Sequence, residues 1–153
     1  MTLVEQFGLL GVFLGGAIPW LEAVTVIPVG LLLGLPPVAV VLAAVIGNLI
    51  TVILATYFAA EIRRWIQNRR STKGIDTASK RDGRALSVAK RWGLPGLAIL
   101  GPLGIGTQLA AVAAIGLGFP ARRTAIWVGS ATILWSAVIT VLAVQGFTYV
   151  GLT

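Results

Sequence analysis

Residues 7–35 are apolar, but Gly8, Gly11, Gly15, Gly16, Pro19, Glu22, Pro28, Gly30 and Gly34 cut the run. Its two uninterrupted arms, about 7–18 and 23–35, would each make roughly 20 Å of helix against a hydrocarbon thickness of about 30 Å. Neither arm spans a bilayer alone, so the pattern predicts a re-entrant hairpin over about 7–35. Pro19 and Pro28 flank its polar tip and deny the region one continuous helix. The next run, about 36–62, is long enough to cross with some tilt. It starts at Pro36 and Pro37, where a missing N–H is no loss, and carries Gly47 and Asn48 near its middle.

The pattern then recurs. After a hydrophilic segment at 63–92, two short apolar arms at about 94–103 and 109–118 surround a tip with Gly101, Pro102, Gly104, Gly106, Thr107 and Gln108. This second hairpin, about 94–119, is followed by a second full span at about 124–146. Gly8, Gly11 and Gly16 match Gly93, Gly96 and Gly101 at one constant offset, and Gly34 and Pro36 match Gly118 and Pro120 at nearly the same one. The order and spacing imply a duplicated unit: a first repeat at 1–62, a basic loop at 63–92 and a second repeat at 93–153.

Charge orients these elements. Ten of the twelve Lys and Arg lie between Arg63 and Arg91, and the other two are Arg122 and Arg123. Basic residues beside membrane spans mark the cytoplasmic side. A single crossing by 94–118 would put Lys90 and Arg91 on the opposite face from Arg122 and Arg123, whereas re-entry keeps both pairs cytoplasmic. Counting back through the span at 36–62, the first hairpin opens outward and both termini lie outside. The fold class expected is therefore an all-α integral membrane protein, an inverted repeat of re-entrant hairpin plus transmembrane helix, in which broken helices form a transport site. Gly11 with Gly15 and Gly30 with Gly34 allow close helix approach, and so short a chain is expected to work as a homo-oligomer.

Composition narrows the function. The 153 residues are 57% hydrophobic and 11% charged, less than half the roughly 25% charged residues of a soluble domain. There is no cysteine and no histidine, so no metal site is expected, no cofactor is implied, and a Ser or Thr nucleophile has no evident base. The chain does not read as an enzyme. The net charge of +7 is confined to membrane-flanking positions, which favours anionic lipid over nucleic acid as its partner. The first thirty residues lack the basic n-region of a cleaved signal peptide.

Glu22 is the one charged residue between Gln6 and Glu61. A carboxylate in such a stretch is expensive unless it faces protein or trapped water, and it is a functional candidate by default. It could load and release a proton or bind substrate; the bland reading is a carboxylate that orders backbone N–H groups at a wet tip. Thr25 and Pro28 share its segment. Pro102, Gly106, Thr107 and Gln108 would present hydroxyl, amide and N–H groups opposite Glu22 if the two tips meet. Asn48 either glues helices or joins the site. Arg63, Arg64, Lys90, Arg91, Arg122 and Arg123 are expected to anchor orientation and touch lipid phosphate.

The chain resembles the small multidrug export family, itself similar to the DedA and VTT membrane proteins. The likeness rests on Glu22 followed by Ile27 and Pro28, on Gly34 with Pro36 and Pro37, and on Gly47 with Asn48. In the second half it rests on Pro102, Gly106, Thr107, Gly118, Pro120, Arg122 and Arg123. Val24 stands where family members often carry an Arg, and Thr107 and Gln108 stand where DedA proteins carry one, so anion recognition by an intramembrane arginine is not expected. The resemblance implies drug export by family label, or movement of a lipid-phosphate carrier, at a bacterial inner membrane. A small transporter or flippase of an amphipathic or lipid-phosphate substrate, with proton coupling, is the leading expectation. The alternative is a non-transporting scaffold whose basic loop binds anionic lipid or a cytoplasmic partner.

Overall fold

The computed structural model describes residues 2–71 and 84–151, with the side chains of 2–69, 92–149 and 151. Among the described residues there are six helices and no strand: α1 (Leu3–Ala17), α2 (Glu22–Leu32), α3 (Pro37–Ser71), α4 (Arg84–Gly104), α5 (Thr107–Leu117) and α6 (Ala121–Val150). The chain divides into two compact units. One comprises residues 1–51 and 129–153, the other residues 52–128.

In the first unit α1 begins with a capping box. The Thr2 hydroxyl accepts from the Glu5 N–H at 3.3 Å, and the Glu5 carboxylate accepts from the Thr2 N–H at 2.9 Å. It ends at Ile18, whose extended backbone is what a residue before proline prefers. α2 packs against α1, with Val12, Ala23, Val26, Ile27, Leu35, Val40 and Ala44 at the core they share with the start of α3. Two glycines set the closeness of that packing. A methyl group at Gly16 would strike the Ala44 carbonyl, and one at Gly47 would strike the Phe13 carbonyl. Pro28 lies inside α2 and does not end it. The burial of Ala23, Val26, Ile27 and Gly30 around it holds the turn despite one missing N–H, a substitution that helices in apolar surroundings tolerate.

The second unit holds the other short helix pair. α4 breaks at Gly93, whose φ of 63° and ψ of −155° are open to glycine alone, and Pro95 then opens its inner piece. Pro102 falls in the last turn of that piece, which ends at Gly104, one residue beyond the expected arm at about 94–103. Leu94 and Leu97 pack on Ala114, with Leu117 and Phe119 beside them. Gly101 lies directly against the Ala110 side chain.

The short helices end alike. After α2 the Leu35 N–H donates to the Gly30 carbonyl and the Gly34 N–H to the Leu31 carbonyl; after α5 Phe119 donates to Ala114 and Gly118 to Ile115. Both are Schellman turns with a left-handed glycine, Gly34 at φ 73° and Gly118 at φ 105°. Each is followed by proline and a long helix.

α3 and α6 are long and apolar enough to cross a membrane. At 1.5 Å per residue the 11-residue α2 and α5 extend about 16 Å, half of a hydrocarbon core. Residues 72–83, the centre of the basic loop, lie outside the described residues.

Candidate functional site

Glu22 is the first residue of α2, 5% exposed, and has a left-handed backbone at φ 47°. It is the one described non-glycine residue with positive φ. That conformation costs an L-residue about 1 kcal/mol or more, and such strain gathers at functional positions. The Ile18 carbonyl accepts from the Glu22 N–H at 3.2 Å, closing the tip that carries Pro19 and Trp20. Its place at a helix start gives the carboxylate the favourable end of the α2 dipole.

The last turns of α1 are pressed against the middle of α3. The Phe13 carbonyl and the Ala17 backbone nitrogen lie against Gly47, the residue before Asn48. Asn48 is fully buried, and its Oδ1 accepts from the Thr132 hydroxyl of α6 at 3.4 Å. One turn further along α6, the Ser136 hydroxyl is 1% exposed and has no hydrogen-bond partner among the described residues. Buried hydroxyls are ordinarily satisfied, so this one stands out on the buried face of α6. Thr51 and Thr140, by contrast, spend their hydroxyls on carbonyls of their own helices.

Thr132 and Ser136 were missed in the sequence, where Ser130 is the more visible hydroxyl. Their signal is the spacing of four that places them on one helix face with Val128. Of the other residues picked from the first hairpin, Thr25 stands on the exposed face of α2 and Pro28 is half-buried.

In the second unit Thr107 and Gln108 open α5. Both are buried, and the Thr107 hydroxyl donates to Gln108 Oε1 at 2.9 Å. Gly106, at φ 92°, closes the turn by donating its N–H to the Gly101 carbonyl at 2.8 Å. Pro102 is half-buried beneath it.

The arginines are not equivalent. Arg64 is exposed and pairs with Glu61 at 3.8 Å, and Arg69 stacks on Trp65 at 3.9 Å. Arg63 is half-buried against Gly118, while Arg122 and Arg123 are exposed in the first turn of α6. Lys90 and Arg91 lie on α4, and their side chains are outside the described residues. Among the described residues no group of acidic side chains is arranged to hold a metal ion.

The stretch from Glu22 to Val138, about three quarters of the chain and every helix but α1, matches the family described as "Putative small multi-drug export protein". The chain belongs to that family. With its two long apolar helices it is a helical membrane protein, and the family name suggests a transporter rather than an enzyme. No curated protein and no solved structure matches it.

Proposed function

We propose that this small multidrug export family member is a transporter of amphipathic, positively charged compounds in which Glu22 binds proton and substrate in turn. The observation that carries the reading is a carboxylate 5% exposed, in an unfavourable backbone conformation, at a break between helices too short to span. The helix dipole favours an acid in the first turn, but it does not call for one that is buried and left-handed. A buried anion attracts a cation or a proton and disfavours a phosphate at the same place. For that reason an amphipathic cation suits the site better than a lipid phosphate.

The reading includes the re-entrant arrangement. Both short helix pairs fall well under the bilayer thickness, and each precedes a long helix after the same glycine-terminated turn. Asn48 and Thr132 lie 84 positions apart, the separation of Gly34 from Gly118, and they bond to each other. Equivalent positions that meet are what a two-fold relation between α3 and α6 produces, and an inverted repeat supplies one. In the cycle, a protonated Glu22 releases a cationic substrate on one side, and loss of the proton on the other restores the charge that binds the next.

Proteoliposomes holding the full chain, loaded with ethidium and given an inward proton gradient, test this. The wild-type protein should export the dye and Glu22→Gln should fall to the level of empty liposomes while keeping its helical content. Gradient-driven export by the variant at the wild-type rate would dispose of the proposal.

A further inference from the structure

The end of α3, the turn after α5 and the start of α6 together hold an arrangement that transport does not use. The Arg63 guanidinium lies over Gly118, with Nη2 3.2 Å and Nη1 3.7 Å from where a side chain on that glycine would begin. It is half-buried, yet it has neither a carboxylate nor a hydrogen-bond partner among the described residues. Its neighbours Arg64 and Arg69 are engaged with Glu61 and Trp65. A planar fork of five donors held in place without an acceptor is incomplete.

The same turn leads into Arg122 and Arg123. Arg122 is four positions after Gly118, so their Cα atoms are at most about 14 Å apart and the long side chains can converge. Both arginines sit at the positive end of the α6 dipole, where cations are disfavoured, and no acidic residue in that first turn offsets them. The first N–H groups of α6 add donors of the same sign. Arg63 over Gly118, with Arg122 and Arg123 four and five positions further along the chain at a helix start, thus puts three guanidinium groups within reach of one turn, and none of them pairs with a carboxylate among the described residues. Ile62 and Trp65 near the end of α3, and Ile126 and Trp127 near the start of α6, are exposed, as apolar and aromatic residues are where headgroups meet hydrocarbon.

We infer that Arg63, Arg122 and Arg123 form a phosphate-binding site at this end of the second unit, fitted to the phosphomonoester head of an anionic lipid or to a free phosphate. The ligand completes the Arg63 fork and neutralises the start of α6. It thereby ties the end of α3 to the turn after α5. The site is separate from Glu22 and does not depend on the transport reading.

Native mass spectrometry of the full chain in detergent, titrated in separate arms with phosphatidic acid, phosphatidylcholine and inorganic phosphate, tests it. Saturable retention of phosphatidic acid but not phosphatidylcholine supports a lipid headgroup; equal saturation by inorganic phosphate supports the site and assigns it to a soluble phosphate. Arg63→Gln should weaken binding about tenfold, the loss of one charge-assisted contact, while Arg69→Gln leaves it unchanged. If Arg63→Gln does not fold, the exposed pair Arg122→Gln with Arg123→Gln must show the same loss. Equal weakening by Arg63→Gln and Arg69→Gln, or wild-type binding by both the Arg63 and the Arg122/Arg123 variants, would overturn the inference.

Discussion

The tips of the two short helix pairs solve one backbone problem with opposite chemistry. At the separation of 84 that relates Gly34 to Gly118, Glu22 corresponds to Gly106, and both have positive φ, at 47° and 92°. The second tip uses the residue that adopts this conformation without penalty. The first uses a glutamate, which is strained there and must also lose water from its carboxylate. A helix start preceded by a left-handed residue can thus be built with glycine, as α5 shows, and the fold alone does not account for Glu22. What glycine cannot provide is a charge that a proton or a cation can neutralise.

The comparison extends to the long helices. Val40, Ala44, Asn48, Val52 and Thr56 are fully buried on one face of α3, and 84 positions later Thr124, Val128, Thr132 and Ser136 are buried on one face of α6. The first four positions of the two rows correspond, the fifth pairs Thr56 with the half-buried Thr140, and the polar load of the buried residues differs. α3 carries an amide and a hydroxyl, while α6 carries three hydroxyls. The asymmetry follows the tips: the half with the charged tip has the amide, and the half with the glycine tip has the extra hydroxyls.

The largest expected effect comes from the backbone contacts that seat the first tip. Gly47→Ala should lower stability by about 3 kcal/mol, because its methyl meets the rigid Phe13 carbonyl, whereas Gly11→Ala, with open space around it, should change little. Thermal unfolding in detergent measures the contrast, and an equal response at both positions would mean that α1 is not pressed on α3 at Gly47. Next, Glu22→Gly, which gives the first tip the residue used by the second, should relieve about 1 kcal/mol of strain and still abolish dye export. A variant that is both less stable than wild type and active would remove the distinction between the tips. Smaller again, Thr132→Val should cost about 1 kcal/mol, since it takes the hydroxyl donor from buried Asn48. Smallest of all, Thr25→Val, on the exposed face of α2, should stay within about 0.5 kcal/mol and leave export unchanged.

The breaks at Pro19 and Gly93, the two long helices and the centrality of Glu22 can be read from the residue pattern because each has a local cause. Proline extends the residue before it, glycine alone takes the backbone at 93, and a lone charge stands out in apolar surroundings. Pro28 and Pro102 each fall inside a short arm, and packing around Ala23 and Ile27, and around Leu97 and Ala114, holds the helix across them. Thr132 and Ser136 were hidden because the face they share with Thr124 and Thr140 is marked by hydroxyls alone, a weak contrast in an otherwise apolar helix. Arg63 was legible only as one basic residue among many. Its difference from Arg64 depends on Gly118, 55 residues later in the chain, and no local rule reports that contact.

The central claim is that the Glu22 carboxylate exchanges its proton for a cationic substrate. Proton movement triggered by ethidium in proteoliposomes containing a trapped pH dye, compared between wild type and Glu22→Gln, examines this most directly. The account expects substrate-dependent proton flux from the wild-type protein and none from the variant. Equal proton flux from both proteins would contradict it.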